Sequence, residues 1–258
     1  MKKIVLLLLL VVLMLTGCGN SHIGRKLVIG IDDDFAPLSF HNERNELVGF
    51  DIDLSKEACR RMGVTAEFKP IDWDNKKAEI TSGGVDLIWN GLDITDERKE
   101  YMLFSKPYMD DRQVLLLKHG VDLKIYSEYD LASKIVGTQA GSISDDYINQ
   151  NTELKDSLED YRSYEKFGEA VEALKRGEIE VVICDELIAR YEMNLRPDEL
   201  TMLNVRIGVI TETGIGFAKN NAKLRDEVQA VFDEMIKDGT AQDISEKWFQ
   251  ADLIKSRR

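Results

Sequence analysis

Two stretches of this 258-residue chain follow the same pattern, and that repetition limits the fold more than any other feature. From Ala78 to Asp93, and again from Ala173 to Asp185, a helical segment ends at glycine and an acidic residue follows. An apolar run then gives way to a loop carrying a carboxylate. The runs, Val85 to Trp89 and Glu180-Val-Val-Ile-Cys184, are short and β-branched, as buried strands are. The units also open alike, since Lys134-Ile-Val-Gly137 echoes Lys26-Leu-Val-Ile-Gly30. Helices alternate with these strands. Phe50, Leu54, Ala58 and Met62 form a stripe that stops at Gly63, and Phe167, Ala170, Val171 and Leu174 form one that stops at Gly177. The predicted class is therefore α/β, with two lobes on mostly parallel sheets. A hydrophobic content of 43% is ample for the cores of both.

Two apolar stretches join the units. Gln113 to Lys118 leaves the first, Val205 to Ile210 returns, and Gly214-Ile-Gly-Phe217 re-enters it before a helix striped by Leu224, Val228, Phe232 and Met235. Two crossings predict a two-strand hinge, with residues 26–112 plus 211–258 in lobe 1 and 113–210 in lobe 2. A ligand cleft is expected between the lobes, where strand C-terminal loops converge. Asp51 reads as the N-cap of the first helix. Asp51-x-Asp53-x-Ser55 has a helical period and Lys56 where a calcium loop needs glycine, so neither metal nor cofactor is expected.

The N-terminus reads as a processing signal. Lys2 and Lys3 precede twelve apolar residues, Ile4 to Leu15, which are too few for a membrane span of about 20. Leu15-Thr16-Gly17-Cys18 follows, resembling the lipobox of bacterial lipoproteins. That resemblance implies a signal peptide at 1–17, acylation of Cys18, and a tether at 18–25 holding the protein on the membrane surface. Removing the leader takes two lysines from a chain whose net charge is already −13, a balance that argues against nucleic acid as a partner. Cys59 and Cys184 fall in different predicted lobes and read as small buried hydrophobes rather than as a disulfide.

The stretch from Val85 to Tyr108 carries the chemistry. Asn90 and Gly91 end its strand, and the loop then supplies Asp93, Thr95 and Arg98. A planar guanidinium fork just past a strand end is suited to grip a carboxylate with two parallel hydrogen bonds. Gly141-Ser142-Ile143-Ser144 precedes a helix start, and a helix N-terminus presents unpaired N–H donors to an anion.

Four motifs in order, Leu47-Val-Gly-Phe-Asp-Ile-Asp-Leu54, Leu92-Asp-Ile-Thr-Asp-Glu-Arg98, Phe104-Ser-Lys-Pro-Tyr108 and Met235-Ile-Lys-Asp-Gly-Thr240 with Lys247-Trp-Phe249, resemble the extracellular solute-binding proteins of family 3. The resemblance covers almost all of residues 26–250. It implies the type II periplasmic-binding-protein fold, closing on one amino acid and docking on an ABC permease. It places Arg98 on the ligand α-carboxylate, helped by backbone N–H groups of Ser142 and Ile143. Asp185 falls on the α-ammonium, with the Gly91 carbonyl beside it. Phe35 covers the ligand and Asp32 recognises its side chain; beyond the resemblance, Asn90 at the strand end is a further candidate, and Trp73 reads either as one more wall or as a half-exposed loop aromatic. Asp93 stands where the family usually has Ser or Thr, and Ile143 where a hydroxyl residue is common.

If Asp32, Asp93 and Asp185 all line the site with Arg98, the lining sums to −2, and unpaired buried carboxylates are costly. The expected ligand is therefore a basic or amine-rich polar amino acid, bound by a monomer; if Asp32 or Asp93 instead faces water or caps a loop, glutamine, cystine or another polar amino acid stays open. Two rivals are weaker. An enzyme would need a nucleophile elbow, a His-Glu-x-x-His pair or a phosphate loop, and the chain has none of these. A sensor domain would continue into a membrane span, whereas this chain runs into a polar tail.

Overall fold

The computed structural model describes residues 24–255, so the leader expected at 1–17 and the expected acylation site Cys18 lie outside the described residues. Strand β1 (Lys26–Ile31) leads to a small antiparallel ribbon, β2 (Asp34–Phe35), β3 (Ser39–His41) and β4 (Leu47–Val48). Helix α1 (Phe50–Met62), β5 (Thr65–Pro70), a 3-10 turn at Trp73–Asn75, α2 (Lys76–Ser82) and β6 (Leu87–Ile88) follow. Next come α3 (Asp96–Tyr101), β7 (Met102–Phe104) and β8 (Met109–Lys118), then β9 (Ile135–Gln139), α4 (Ile143–Gln150) and α5 (Thr152–Ser157). After β10 (Asp160–Tyr164), α6 (Phe167–Arg176), β11 (Val181–Asp185) and α7 (Glu186–Leu195), the chain returns through β12 (Leu200–Thr213) to β13 (Gly216–Ala218), α8 (Ala222–Lys237) and α9 (Thr240–Phe249).

These strands form two five-stranded sheets, ordered β5-β1-β6-β13-β7 and β10-β9-β11-β8-β12, one in each lobe. Both are mixed. β1 pairs parallel with β5 and β6, and β9 with β10 and β11, as the helical crossovers require. β13 instead runs antiparallel to β6 and β7, and β8 antiparallel to β11 and β12. The antiparallel members are the strands that cross or re-enter, and no helix between them marks their direction in the sequence.

The crossing strands are longer than their apolar runs. β8 and β12 pair from Lys118↔Leu200 to Met109↔Thr213, with register shifts on either side of Ile207. Polar residues at 110–112 and 211–213 continue both strands beyond the apolar runs. Such irregularities let a long ribbon bend and twist as it passes between lobes.

Gly63 and Gly177 close their helices in the left-handed conformation, as expected. The start of α1 differs. Its N-cap is Gly49, at φ +144°, where a Cβ would lie 2.1 Å from the Leu38 carbonyl oxygen, so only glycine fits. Asp51 is therefore not a cap. It is fully buried in the first turn, and its carboxylate accepts hydrogen bonds from the Gly91 N–H at 2.7 Å and the Tyr108 hydroxyl at 2.9 Å. Behind it, Trp89 and Tyr108 meet Phe232 edge-on at 5.6 and 5.8 Å, which locks α8 against the strand end that carries Gly91. Cys59 on α1 and Cys184 on β11 are buried free thiols. Among the described residues, no helix is long and apolar enough to cross a membrane.

Candidate functional site

A cleft opens where strand ends from both sheets meet. The first lobe contributes Asp32 at the end of β1, Phe35, Trp73, Asn90, Gly91 and Asp93, and the second contributes Ser142, Ile143 and Asp185. The structure thus brings nine of the ten sequence-predicted residues to one cleft. Arg98 is not on the lining. It lies behind Asp93, only 2% exposed, with Nη1 donating to the Asp93 carbonyl at 3.1 Å and 3.7 Å from Asp93 Oδ2. Its Nη2 reaches across to the Gly141 carbonyl at 3.2 Å and to Asp146 Oδ2 at 3.3 Å.

Each first-lobe residue is held by its own network. The Asn90 side-chain oxygen accepts from the Asp32 N–H and from Ser39 Oγ, both at 2.6 Å. Asn90 Nδ2 is buried with no partner among the described residues, which leaves a donor at the cleft wall. Gly91 sits at φ +56°, and an added Cβ would come within 2.7 Å of Leu38 and 3.2 Å of the Phe35 ring. Asp93 accepts from Thr211 Oγ1, so the acid that sequence reading singled out also ties the cleft to β12. Burial raises its carboxyl above the ordinary range, and Arg98 works against that rise. Trp73 is buried, and Lys76 beside it donates to the Gly141 carbonyl at 2.7 Å. Burial, with Arg98 nearby, brings the Lys76 ammonium down to about 8.

Asp32 is not an unmatched charge. Lys166 Nζ donates to its Oδ1 at 2.9 Å and to Asp33 Oδ1 at 3.0 Å, and the Gln139 amide donates to Asp32 Oδ2. Both partners come from the second lobe, so this acid ties the lobes together. Phe35 meets Phe167 edge-on at 6.1 Å, also across the cleft.

On the second lobe, Ser142 caps α4, its Oγ accepting from the Asp145 N–H at 3.1 Å. Its own N–H donates to the Gln139 carbonyl at 3.2 Å. The donor facing an anion is therefore that of Ile143, in the first turn, where no intrahelical acceptor exists. Asp185 ends β11 and accepts from Gln113 Nε2 at 2.6 Å. Burial, with repulsion from Asp93, pushes its carboxyl up to about 7.

Sequence reading missed Asp111, Gln113, Gln139, Lys166 and the cleft role of Phe167. Two of these left a signal. Asp111 and Gln113 alternate on one face of a strand whose continuation is apolar, which marks a polar edge turned inward. Lys166 left none, because its partner is 134 residues away.

Two lobes closing on a polar cleft between crossing strands define a two-domain binding protein. Residues 27–251 match the family model of the bacterial extracellular solute-binding proteins, family 3, and the chain belongs to that family. The L-cystine-binding protein TcyJ of Escherichia coli K12 is 31% identical over 229 residues, covering 89% of this chain and 84% of that protein. An ABC uptake transporter substrate-binding protein from Streptococcus pneumoniae with bound histidine superposes with a TM-score of 0.84 at 33% identity, covering 90% of this chain and 95% of that one. An ancestral arginine-binding protein bound to arginine gives a TM-score of 0.81 at 34% identity, covering 87% and 98%.

Proposed function

We propose that this chain is the substrate-binding lipoprotein of an ABC importer. It captures one free amino acid between its lobes and delivers it to a membrane permease, acting as a binder and not as an enzyme. Lobe 1 spans 26–112 plus 211–258 and lobe 2 spans 113–210; the lipid on Cys18 anchors the monomer outside the cytoplasmic membrane. The observation that carries this reading is the cleft's two poles. Ile143 at the start of α4 offers a backbone donor to an anion, with Arg98 behind the wall, and Asp185 on the lining offers a carboxyl to a cation, which together suit a zwitterion. Ligand contacts to both lobes then favour the closed state by their difference between open and closed forms.

Charge indicates the ligand class. Around the cleft six acids, Asp32, Asp33, Asp93, Asp111, Asp146 and Asp185, face three cations, Lys76, Arg98 and Lys166. A zwitterion adds nothing to that balance, whereas the cationic side chain of arginine, lysine or ornithine offsets part of the deficit. A second reading has its own support. Lys166 already serves Asp32, and Asn90 Nδ2 is a donor without an acceptor, so a ligand with a carboxylate at its far end, such as cystine, also fits. Thermal-shift screening separates the two. A ligand at 100 times its Kd adds about 2.7 kcal/mol, or about 5–10 °C in Tm for a protein of this size. Basic amino acids are expected to give the largest shift. A shift with cystine alone selects the second reading, and a shift with acidic amino acids alone rejects both.

A further inference from the structure

Behind the Asp185 pole lies a second carboxylate. Asp111 is buried on β8, where strand alternation turns it to the same side as Gln113, while Arg112 turns away to pair with Glu186 at 2.7 Å. Gln113 Nε2 donates to Asp111 Oδ2 and to Asp185 Oδ1, both at 2.6 Å, and its Oε1 accepts from Ser144 Oγ. One amide thus spends both hydrogens tying two carboxylates together. Among the described residues, neither acid forms an ion pair. The charged and titratable groups facing them are few. Asp93 repels both, Arg98 attracts Asp185 but is engaged by Asp93 and Asp146, the buried Cys184 thiol is neutral, and Arg112 is taken by Glu186.

We propose that Asp111 is a second acid of the ammonium pole: the Asp111 and Asp185 carboxyls hold one proton between them until the ligand's α-ammonium arrives, and capture expels that proton. The inference rests on the reading that Asp185 receives the α-ammonium. Two carboxylates sharing a buried site do not both ionise at neutral pH without a cation, so the pair titrates as a unit. Burial raises both carboxyls, repulsion from Asp93 adds to the rise of each, and Asp185 raises Asp111 further. The ammonium supplies the missing charge. The acid O–H bond then breaks with its electron pair left on oxygen, the proton passes to water, and the ammonium, still fully protonated, donates to the ionised acids.

The test is calorimetry with L-arginine, L-glutamine and L-cystine, at pH 6, 7 and 8, in buffers of different ionisation enthalpy. With whichever of the three binds, release of close to one proton is expected near pH 7, with affinity rising about tenfold from pH 6 to pH 7. Asp111→Asn should reduce the release and make the pH profile shallower, because Asp185 alone, raised by burial and Asp93, holds only part of a proton near pH 7. Binding without proton release, or a release as large in D111N as in the wild type, overturns the proposal. If arginine fails while another of the three binds, the basic-ligand reading falls and the proton count still decides this one. If none binds, both fall. A ligand-independent check is carbon NMR of protein labelled at aspartate carboxyls. In the wild type two carboxyls of the pair should titrate outside the ordinary acid range, one of them staying protonated through neutral pH, and in D111N only one such carboxyl, that of Asp185, should remain. The absence of such a carboxyl from the wild type overturns the proposal even where D111N does not fold.

Discussion

Arg98→Ala is expected to weaken amino-acid binding by about 2 kcal/mol or more, roughly thirtyfold, and to lower folding stability by about 3–5 kcal/mol. The two losses have different origins. On the proposed reading, affinity falls because the ligand carboxylate loses its guanidinium partner. Stability falls because Asp93, 4% exposed, must stay charged without its main cation or take up a proton, and the Asp93 carbonyl loses its guanidinium donor while that of Gly141 keeps only Lys76. A second substitution separates them. Asp93→Asn on the Arg98→Ala background removes the uncompensated charge, so stability measured by urea unfolding should recover while affinity measured by calorimetry should not. Unchanged affinity in the single variant removes Arg98 from the site. Recovery of affinity in the double variant would mean that Arg98 serves only to neutralise Asp93.

The behaviour of Arg98 shows what kind of information the sequence held. Apolar runs ending in polar loops located both strand ends, and glycine stops located the helices, because these signals are local. The cleft wall from Asp32 to Asp185 followed from the loops that strand ends present. What was not legible is which side chain answers which across the cleft. Asp32 was expected to offer its charge to a ligand, but Lys166 and Gln139 from the other lobe already hold it. Asp111 was passed over at the edge of lobe 1: its alternation with Gln113 marks an inward-facing side chain, but not that Asp185, far along the chain, is what it meets through the Gln113 amide. The N-cap at Asp51 was misplaced for a related reason. Its residue type favours capping, but the close approach of Gly49 to the Leu38 carbonyl fixes where the helix begins, and that contact is made by a separate loop. Sheet direction failed where strands cross between lobes without a helix. Local physics fixed the elements, and long-range pairing fixed their charges.

That reassigned Asp51 leads to the second large expected effect, a stability that falls as pH rises through neutrality. Burial pushes the Asp51 carboxyl up to about 7, against the hydrogen bonds from Gly91 and Tyr108 that favour its ionised form. An aspartate in the unfolded chain titrates near 3.9, so between about pH 4 and pH 7 the native protein holds a proton that the unfolded chain releases. The stability this gives is complete below about pH 4 and is lost as pH rises through about 7. Glu57 and Glu186, held down to about 2 by hydrogen bonds from Arg60 and Arg61 and from Arg112 and Arg190, act oppositely. Their contribution is present above about pH 4.3 and is lost only as pH falls through about 2. Stability of the ligand-free protein should therefore peak in mild acid. For Asp51 alone, the difference between pH 5 and pH 8 is about 2–3 kcal/mol. Urea unfolding at the two pH values measures it, and Asp51→Asn should remove that share of the difference. An unaltered pH dependence in the variant would show that the proton sits elsewhere. Asp111 and Asp185 contribute in the same direction, yet at their site the ligand reverses the preference by favouring the ionised pair. Raising the pH is thus expected to weaken the empty fold while strengthening capture, so ligand-induced stabilisation should be larger at pH 8 than at pH 6.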